Sequence, residues 1–440
     1  MQSQPAQPGF SERLARTAVP VFLLLAIVTL AFGLGYVVNA LADDDDPQVV
    51  QASSDDGGSS GGSGDAIGAA ILDEIYELLA NQYVDPVLIS EDNFLQSAID
   101  GIIASLNDPH TDYLTPAEVA SGALDLGSTY EGIGASVSDR TGQVTIVAPF
   151  RDSPAETAGI QAGDIILAVD GVSTEGWSDQ QAVQVIRGPR GTPVTLTVLH
   201  SDGVQEEVTV TRGDIDIQSV FTEPLLEVIP GESDDRLVDR EGNEVLDIFY
   251  VYISQFHDQT LDELQTALAE VENGDYIGLI VDVRLNPGGL LSATVNVADE
   301  FLDSGTILIE VDREKRQRPY NATAGGVATT IPIVILQDGG SASGSEVLAA
   351  ALRDNARATV VGTRSFGKGT VNQLQELDNC GDPDGCGALY ISVGRWLTPL
   401  GDLIEGIGVP VDVEVEMTGD DYIDNGDIQV FRAIEILRGD

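Results

Sequence analysis

The strongest constraint on the fold is an alternation of short apolar runs and amphipathic segments in the second half of the chain. Apolar runs typical of strands occupy 248–253, 277–283, 307–311 and 333–336. Segments with a helical spacing of apolar residues are interleaved with them, at 261–272, 292–301 and 346–355. Strands interleaved with helices predict an α/β core. We assign residues 213–440 to this core, including a polar tail with a last helix near 428–437.

Two regions before the core have other patterns. Residues 128–212 carry β-like runs separated by glycine-rich turns, at 144–148, 165–169, 194–198 and 207–210, and one helical stretch at 179–186. This pattern predicts a compact, sandwich-like β module with a single helix. Residues 66–127 contain two amphipathic stretches, at 66–80 and 94–106, and are assigned to an N-terminal helical domain. The predicted fold class is therefore multidomain α/β (α+β).

The N-terminal segment predicts a membrane anchor. Residues 18–38 form an apolar run of about 21 residues, which is long enough to cross a bilayer. Arg13 and Arg16 precede this run and an acidic stretch follows it, so the positive-inside rule makes 1–17 a cytoplasmic tail and leaves the body outside the cytoplasm. Residues 39–65 are acidic and then rich in glycine and serine, as in a flexible linker. A cleaved signal sequence is the alternative, because Ala40-Leu41-Ala42 resembles a signal-peptidase site.

The charge balance excludes one class of function. The chain has 72 acidic and 21 basic residues, a formal net charge of −51. Such a surface repels the phosphates of DNA and RNA, so we expect no nucleic-acid partner.

The only two cysteines, Cys380 and Cys386, lie close together in a loop rich in glycine, aspartate and proline. They have no further thiol or imidazole ligand nearby, which disfavours zinc and favours a small disulfide-closed loop in an oxidising compartment.

Lys368 is the candidate general base. It lies between two glycines and is one of only two lysines in the chain, the other being Lys315. Apolar neighbours such as Phe366 would desolvate its ammonium group, which favours the neutral amine that can accept a proton from a serine. An ordinary surface lysine in a glycine-rich turn is the alternative. Among the three histidines, His257 is the alternative base, in a Ser-His-Asp arrangement.

The candidate nucleophile lies in the stretch Ser341-Ala342-Ser343-Gly344-Ser345-Glu346, which follows an apolar strand and begins a helix. Ser343 stands three residues before Glu346, the spacing of a helix capping box. The same position suits a nucleophile, because a helix N-terminus offers N–H groups and a positive dipole end to an oxyanion. On local grounds Ser341 or Ser345 could serve instead of Ser343.

Several motifs together resemble the carboxyl-terminal processing peptidases, or tail-specific proteases, which are PDZ-containing serine proteases. The similar segments, in the order of that family, are 83–86 (YVDP), 106–114 (LNDPHTDYL), 130–135 (YEGIGA), 153–156 with 162–166 (SPAE, AGDII), 283–289 (VRLNPGG), 341–346 (SASGSE) and 366–370 (FGKGT). The resemblance implies that 128–212 is a PDZ domain. It also implies that 213–440 is a catalytic core of the crotonase-like or Clp-protease-like α/β type.

The resemblance also implies roles for particular residues. It makes Ser343 the nucleophile and Lys368 the base, with Asn372 or Gln373 where the family usually has a supporting glutamine. The oxyanion donors would be the N–H of Gly344, where the family usually has alanine, and that of a glycine in Gly288-Gly289. In the PDZ domain, Gly132-Ile133-Gly134-Ala135 would bind the terminal carboxylate of a substrate tail.

The predicted function is that of a membrane-anchored, extracytoplasmic serine endopeptidase that cleaves proteins near their C-termini. Its partners would be proteins or peptides with free C-termini, no metal or organic cofactor is needed, and an oligomer is compatible with the sequence. Two other classes compete with this function: a catalytically silent, membrane-tethered PDZ adaptor, and a crotonase-like enzyme acting on thioesters.

Overall fold

The computed structural model describes residues 65–85, 89–120, 127–139, 142–150, 153–231, 233, 235–377 and 386–439 of the 440-residue chain. These residues form two compact units. One comprises the described residues from 120 to 371 and from 393 to 439, and the other those from 65 to 119 and from 372 to 392.

The smaller unit begins with two amphipathic helices. Its elements in order are α1 (Asp65–Gln82), α2 (Glu91–Ala104), β1 (Asp112–Leu114) and α3 (Pro116–Ala120). The hydroxyl of Ser90 caps α2 by accepting a hydrogen bond from the N–H of Asn93 (3.2 Å). The strand β1 pairs in antiparallel register with residues 388–390.

The PDZ module opens the larger unit. Its elements are β2 (Thr129–Gly132), β3 (Ala135–Ser138), β4 (Thr145–Pro149), α4 (Pro154–Thr157), β5 (Ile165–Val169), β6 (Val172–Ser173), α5 (Asp179–Ile186), β7 (Pro193–Leu199), β8 (Gln205–Thr211) and β9 (Gly213–Asp216). Strands β3-β4-β5-β7-β8 form one antiparallel sheet, with β6 on β5, and β2 pairs with β9. Alternate residues such as Val194, Leu196 and Val198 are fully buried between this sheet and α5. The predicted β module with one main helix is confirmed.

The α/β core predicted at 213–440 follows. Its elements are β10 (Val220–Phe221), β11 (Ile248–Ile253), α6 (Thr260–Asn273), β12 (Gly278–Asp282), α7 (Leu291–Asp299), β13 (Thr306–Asp312), β14 (Gln317–Asn321), β15 (Ile333–Gln337), α8 (Gly344–Asp354), β16 (Ala358–Gly362), β17 (Thr370–Glu376), β18 (Ala388–Leu397), β19 (Val413–Glu414), α9 (Gly419–Asn425) and α10 (Ile428–Arg438).

The main sheet of the core has the order β10-β11-β12-β15-β16-β19, and all its pairs are parallel except β10 with β11. Both faces are covered. Val251 and its neighbours on one face pack with α6, α7 and α8, and Tyr250 and its neighbours on the other pack with α10. Burial on both faces explains why these strands are continuously apolar.

The strand predicted at 307–311 does not join this parallel sheet. It is β13, which pairs in antiparallel register with β14 and with residues 394–397 of β18. Its apolar residues alone could not indicate which sheet it would enter, because a short apolar run is compatible with a strand of either sheet.

No helix among the described residues is both long and apolar enough to span a bilayer. The predicted cytoplasmic tail, the anchor at 18–38 and all but the last residue of the predicted linker lie outside the described residues.

Candidate active site

The candidate site lies where four neighbouring parallel strands end. The carboxyl ends of β11, β12, β15 and β16 lead into loops that carry Phe256, Gly288-Gly289, Ser343 and Lys368. In open α/β sheets the carboxyl ends of the strands meet at one edge and form the crevice where ligands bind. The topology thus brings to one edge four segments that are far apart in the sequence.

Ser343 occupies a sharp turn between β15 and α8. Its φ is +52°, a left-handed conformation that is unfavourable for a residue with a side chain, and it immediately precedes the first residue of α8. The turn leaves Ser343 partly exposed at the helix N-terminus, where unpaired N–H groups and the helix dipole favour a developing anion.

The two competing serines have structural roles. The hydroxyl of Ser341 donates to the carbonyl of Val283 (2.8 Å), and that of Ser345 donates to the carbonyl of Asn286 (2.9 Å). Both side chains are fully buried. They fasten the β15–α8 turn to the loop after β12, so Ser343 is the serine of this stretch that faces the pocket described below.

Glu346 links the turn of Ser343 to the loop of Lys368. Its carboxylate is fully buried and accepts four hydrogen bonds. The N–H groups of Ser343 (2.8 Å) and Lys368 (2.9 Å) donate to one oxygen, and the hydroxyl of Ser365 (2.6 Å) and the N–H of Gly367 (2.7 Å) donate to the other. Burial raises the pKa of Glu346 above its ordinary value, although these hydrogen bonds act in the opposite direction.

The loop of Lys368 is held close to another backbone segment. The N–H of Gly369 donates to the carboxylate of Glu405 (2.7 Å), and the carbonyl of Gly367 accepts from the N–H of Gly406 (2.9 Å). A Cβ atom on Gly369 would collide with the backbone of Glu405, so the flanking glycine is required by this approach. The side chain of Lys368 is 7% exposed, which excludes the ordinary surface lysine considered from the sequence.

The Gly288-Gly289 loop lies against the turn of Ser343. A Cβ atom on Gly288 would lie 2.7 Å from the Cβ of Ser343 and 2.8 Å from the nitrogen of Gly344. The N–H of Gly288 already donates to the side-chain oxygen of Asn286 (2.8 Å). Of the two glycines, Gly289 is the one that lines the pocket beside Ser343.

A small pocket lies beside these groups. Its walls are Gly289, Leu291, Thr294, Ser343, Gly344, Val347 and Trp396. Its empty space, counted with the solvent at its mouth, is about 190 Å³. The pocket has both apolar and polar walls and adjoins the predicted nucleophile, as expected for a site that receives one small side chain.

The alternative base, His257, is committed to structural hydrogen bonds. Its side chain is 1% exposed, its Nε2 lies 2.7 Å from the carbonyl of Ile217, and its Nδ1 accepts from the N–H of Gln259 (3.1 Å). With both ring nitrogens engaged, His257 is a poor general base. His200 lies in the PDZ module, where its hydrogen bond to Asp164 (2.8 Å) raises the pKa of the imidazole.

The predicted supporting amide belongs to the smaller unit. The carboxamide of Asn372 donates to the carbonyl of His110 (2.8 Å) and to the hydroxyl of Ser392 (3.1 Å). The neighbouring side chain, Gln373, is exposed. The role of either residue in catalysis stays a prediction.

Gly132-Ile133-Gly134-Ala135 forms the turn between β2 and β3 of the PDZ module. Gly134 has a φ of +74°, and a Cβ atom there would lie 2.5 Å from the Cβ of Ser153, so glycine is required. The carbonyl of Ile133 accepts from the N–H of Ala155 (2.8 Å), which fixes the turn against α4. Binding of a terminal carboxylate here stays a prediction.

Sequence reasoning missed a buried ionic cluster next to the site. Arg284, directly before the loop that carries Gly288-Gly289, is 2% exposed and donates to Asp282 (2.6 Å) and Asp427 (2.8 Å). Because Asp427 caps α10, the cluster ties the loop after β12 to the last helix. Its only sequence signal is the pair Asp282 and Arg284 at the end of an otherwise apolar strand.

Cys386 is disulfide-bonded. Its predicted partner, Cys380, lies outside the described residues.

Two family profiles and several known proteins are similar to this chain. The profile of Peptidase family S41 matches residues 247–415, and a PDZ domain profile matches residues 145–199. A carboxyl-terminal-processing protease of Synechocystis sp. is 34% identical over 385 residues, covering 85% of this chain and 84% of the relative. A carboxy-terminal-processing protease of Bartonella bacilliformis is 33% identical over 350 residues, covering 78% and 74%. Among solved structures, a photosystem II D1 C-terminal processing protease is 28% identical, covering 79% of this chain and 92% of that chain, with a TM-score of 0.45.

Proposed function

Because this chain belongs to the carboxyl-terminal processing proteases of Peptidase family S41, we propose that it cleaves protein substrates near their C-termini through a Ser343–Lys368 dyad. The family makes the chain a serine-type protease with a PDZ domain. The dyad, the recognition of free C-termini and the membrane anchor are the finer parts of the proposal.

The reaction proceeds through an acyl-enzyme. The neutral amine of Lys368 accepts the proton of the Ser343 hydroxyl while the serine oxygen attacks the carbonyl carbon of the scissile amide. The N–H groups of Gly344 and Gly289 stabilise the oxyanion, and the protonated Lys368 gives its proton to the leaving amine. Lys368 then activates the water that hydrolyses the ester.

The observation that carries the proposal is the shared carboxylate of Glu346. Its Oε2 accepts from the N–H of Ser343 and from the N–H of Lys368, at 2.8 and 2.9 Å. Two residues whose backbones donate to one oxygen atom are neighbours in space. Lys368 is also buried, as expected for a residue of an enclosed site rather than of the surface.

Gly289 is the favoured second oxyanion donor. The N–H of Gly288 is engaged with Asn286, whereas Gly289 lines the pocket beside Ser343. Arg284 fixes the chain just before the two glycines. The N–H of Gly289 is therefore already in place when the substrate binds.

The remaining parts concern substrate delivery. The turn 132–135 of the PDZ domain binds the C-terminal carboxylate of the substrate. The apolar segment 18–38 anchors the chain with its body on the extracytoplasmic side, which is supported by Arg13 and Arg16 before the segment. The domain limits 66–127, 128–212 and 213–440 belong to the same proposal.

The test is proteolysis of an unstructured substrate protein followed by mass spectrometry of the products. We expect cleavage near the C-terminus by the native chain, and none by Ser343→Ala or Lys368→Ala, with both variants folded as judged by circular dichroism. Turnover near the native rate in either variant removes the dyad. If the native chain binds C-terminal peptides but neither cleaves them nor reacts with a fluorophosphonate, it is a silent adaptor instead.

A further inference from the structure

The pocket beside Ser343 combines apolar walls with two polar side chains. Leu291 and Val347 supply aliphatic walls, and Thr294 and Trp396 supply a hydroxyl and an indole. Because the pocket adjoins both the nucleophile and Gly289, it receives the side chain of the residue whose carbonyl group is attacked, the P1 residue. This assignment of the pocket rests on the proposed function and extends it to the choice of substrate.

Trp396 lines this pocket and carries a buried hydrogen-bond donor. Its side chain is 5% exposed, and its indole nitrogen has no hydrogen-bond partner among the residues that the structure describes. Buried tryptophan N–H groups usually find a partner, because an unpaired buried donor is unfavourable. The backbone of Trp396 is fixed, since its N–H donates to the carbonyl of Gly369 (2.7 Å) in the Lys368 loop. An acceptor supplied by the substrate would satisfy the indole.

Thr294 supplies the complementary acceptor. It lies on α7, is fully buried, and its hydroxyl donates to the carbonyl of Leu290 (3.0 Å). That bond uses the proton of the hydroxyl, so the oxygen keeps lone pairs for a donor in the pocket.

Gly344 makes room for this threonine. A Cβ atom at position 344 would lie 2.5 Å from the Thr294 hydroxyl oxygen and 3.0 Å from the ring of Phe256. The alanine that the family resemblance leads one to expect would therefore press on the hydroxyl. The glycine at 344 and the threonine at 294 form a matched pair that keeps a polar atom in the pocket.

We propose that this pocket selects serine or threonine as the P1 residue. The hydroxyl of such a side chain accepts a hydrogen bond from the indole N–H of Trp396 and donates one to the oxygen of Thr294. The empty space of about 190 Å³ includes open solvent at the mouth, so the enclosed part admits only a small side chain, such as that of serine or threonine. Alanine or valine fits but leaves the indole unpaired, and a carboxylate would bury a charge among apolar walls.

The experiment compares peptides that differ only at P1, in isosteric pairs: threonine with valine, and serine with alanine. The readout is the ratio of kcat/KM within each pair, because the ratio is insensitive to the amount of active enzyme. We expect the native chain to prefer threonine over valine by about tenfold or more, since a site built to bind a hydroxyl discriminates against the isostere that lacks one.

Two variants remove one polar group each: Thr294→Val keeps the shape of the side chain, and Trp396→Phe removes the indole N–H together with part of the ring. In Trp396→Phe and in Thr294→Val the threonine-to-valine ratio should fall towards one. Val347→Ile is the matched control, because it reshapes the same pocket without changing a polar atom, and it should alter both rates and preserve the ratio.

The outcomes separate this inference from the proposed function. If the native chain cleaves all four peptides at Ser343-dependent rates with pairwise ratios near one, the P1 inference is overturned and the dyad stands. A ratio that survives in both polar variants also overturns it. If none of the peptides, nor any protein substrate, is cleaved by the native chain, the proposed function falls and the inference falls with it.

Discussion

Replacing Glu346 with glutamine should separate catalysis from stability. The substitution keeps the size of the side chain but turns one oxygen into an NH₂ group, so two of the four donors that converge on the carboxylate lose their acceptor. Whichever oxygen is replaced, the turn of Ser343 or the loop of Lys368 loses hydrogen bonds to this side chain.

The effect on stability should be small. Burial raises the pKa of Glu346, which means that the cost of burying its charge exceeds the gain from its hydrogen bonds. A neutral isostere regains that burial cost, which offsets part of the loss from the two donors left without an acceptor, so we expect the free energy of unfolding to fall by about 1–2 kcal/mol.

The effect on turnover should be large. A displacement of about 1 Å between reacting groups lowers the rate about a hundredfold, which corresponds to about 2.7 kcal/mol in the barrier. We therefore expect Glu346→Gln to lower kcat about a hundredfold with little change in KM, measured on a fluorogenic peptide. The matched control is Glu300→Gln, another buried carboxylate, whose partners Gln265 and Val327 lie outside the site. The Glu300→Gln variant should have a kcat within about threefold of the native value.

The pH dependence gives a second readout for the same carboxylate. For an acid whose folded-state pKa is raised above its ordinary value of 4.5, the folded chain binds more protons between the two values. The contribution of Glu346 to stability is then greatest below that window and declines as pH rises through the raised pKa.

Cleavage has the opposite trend, because protonation removes an acceptor that Ser343 and Lys368 need. A plot of log kcat/KM against pH should show two ionisations on the acid side for the native chain. For Glu346→Gln it should show one, because the ionisation of Glu346 is lost. The reasoning is refuted if Glu346→Gln does not lower kcat, or if kcat falls only in proportion to the fraction of unfolded protein.

Three further substitutions test other parts of the site. Asp427→Asn leaves Arg284 with a missing partner and should reduce the free energy of unfolding by about 3–5 kcal/mol in urea titrations, and a loss below about 1 kcal/mol would contradict a tightly coupled cluster. Gly344→Ala should lose about 1–3 kcal/mol by overpacking against Thr294, and adding Thr294→Ala should restore part of this loss; strict additivity in that double-mutant cycle would refute the contact. Gly134→Ala should abolish the preference for a free over an amidated C-terminus, measured by kcat/KM on matched peptides, and a preserved preference would remove the turn from tail binding.

Local patterns predicted the secondary structure well where one face of an element is buried. The strand at 165–169 and the helix at 179–186 have the predicted limits, because alternation and helical spacing are recorded in neighbouring residues. The same patterns could not place β13 in its antiparallel sheet, because pairing partners such as Trp396 lie far away in the sequence.

The site shows the same division between local and distant information. The spacing of Ser343 and Glu346 predicted the local hydrogen bond to the N–H of Ser343, but not the three bonds from residues 365–368. The choice among three serines was open on local grounds and depended on the partners of Ser341 and Ser345 in the loop after β12. Residues that act through folding of distant segments leave little signal in a single sequence.

Mapping the adduct of a fluorophosphonate by mass spectrometry tests the central claim most directly. If Lys368 activates Ser343, the native chain carries the adduct on Ser343, and folded Lys368→Ala reacts at least about a hundredfold more slowly. An adduct on Ser341 or Ser345, or equal reactivity of Ser343 in the absence of the lysine, would contradict the account.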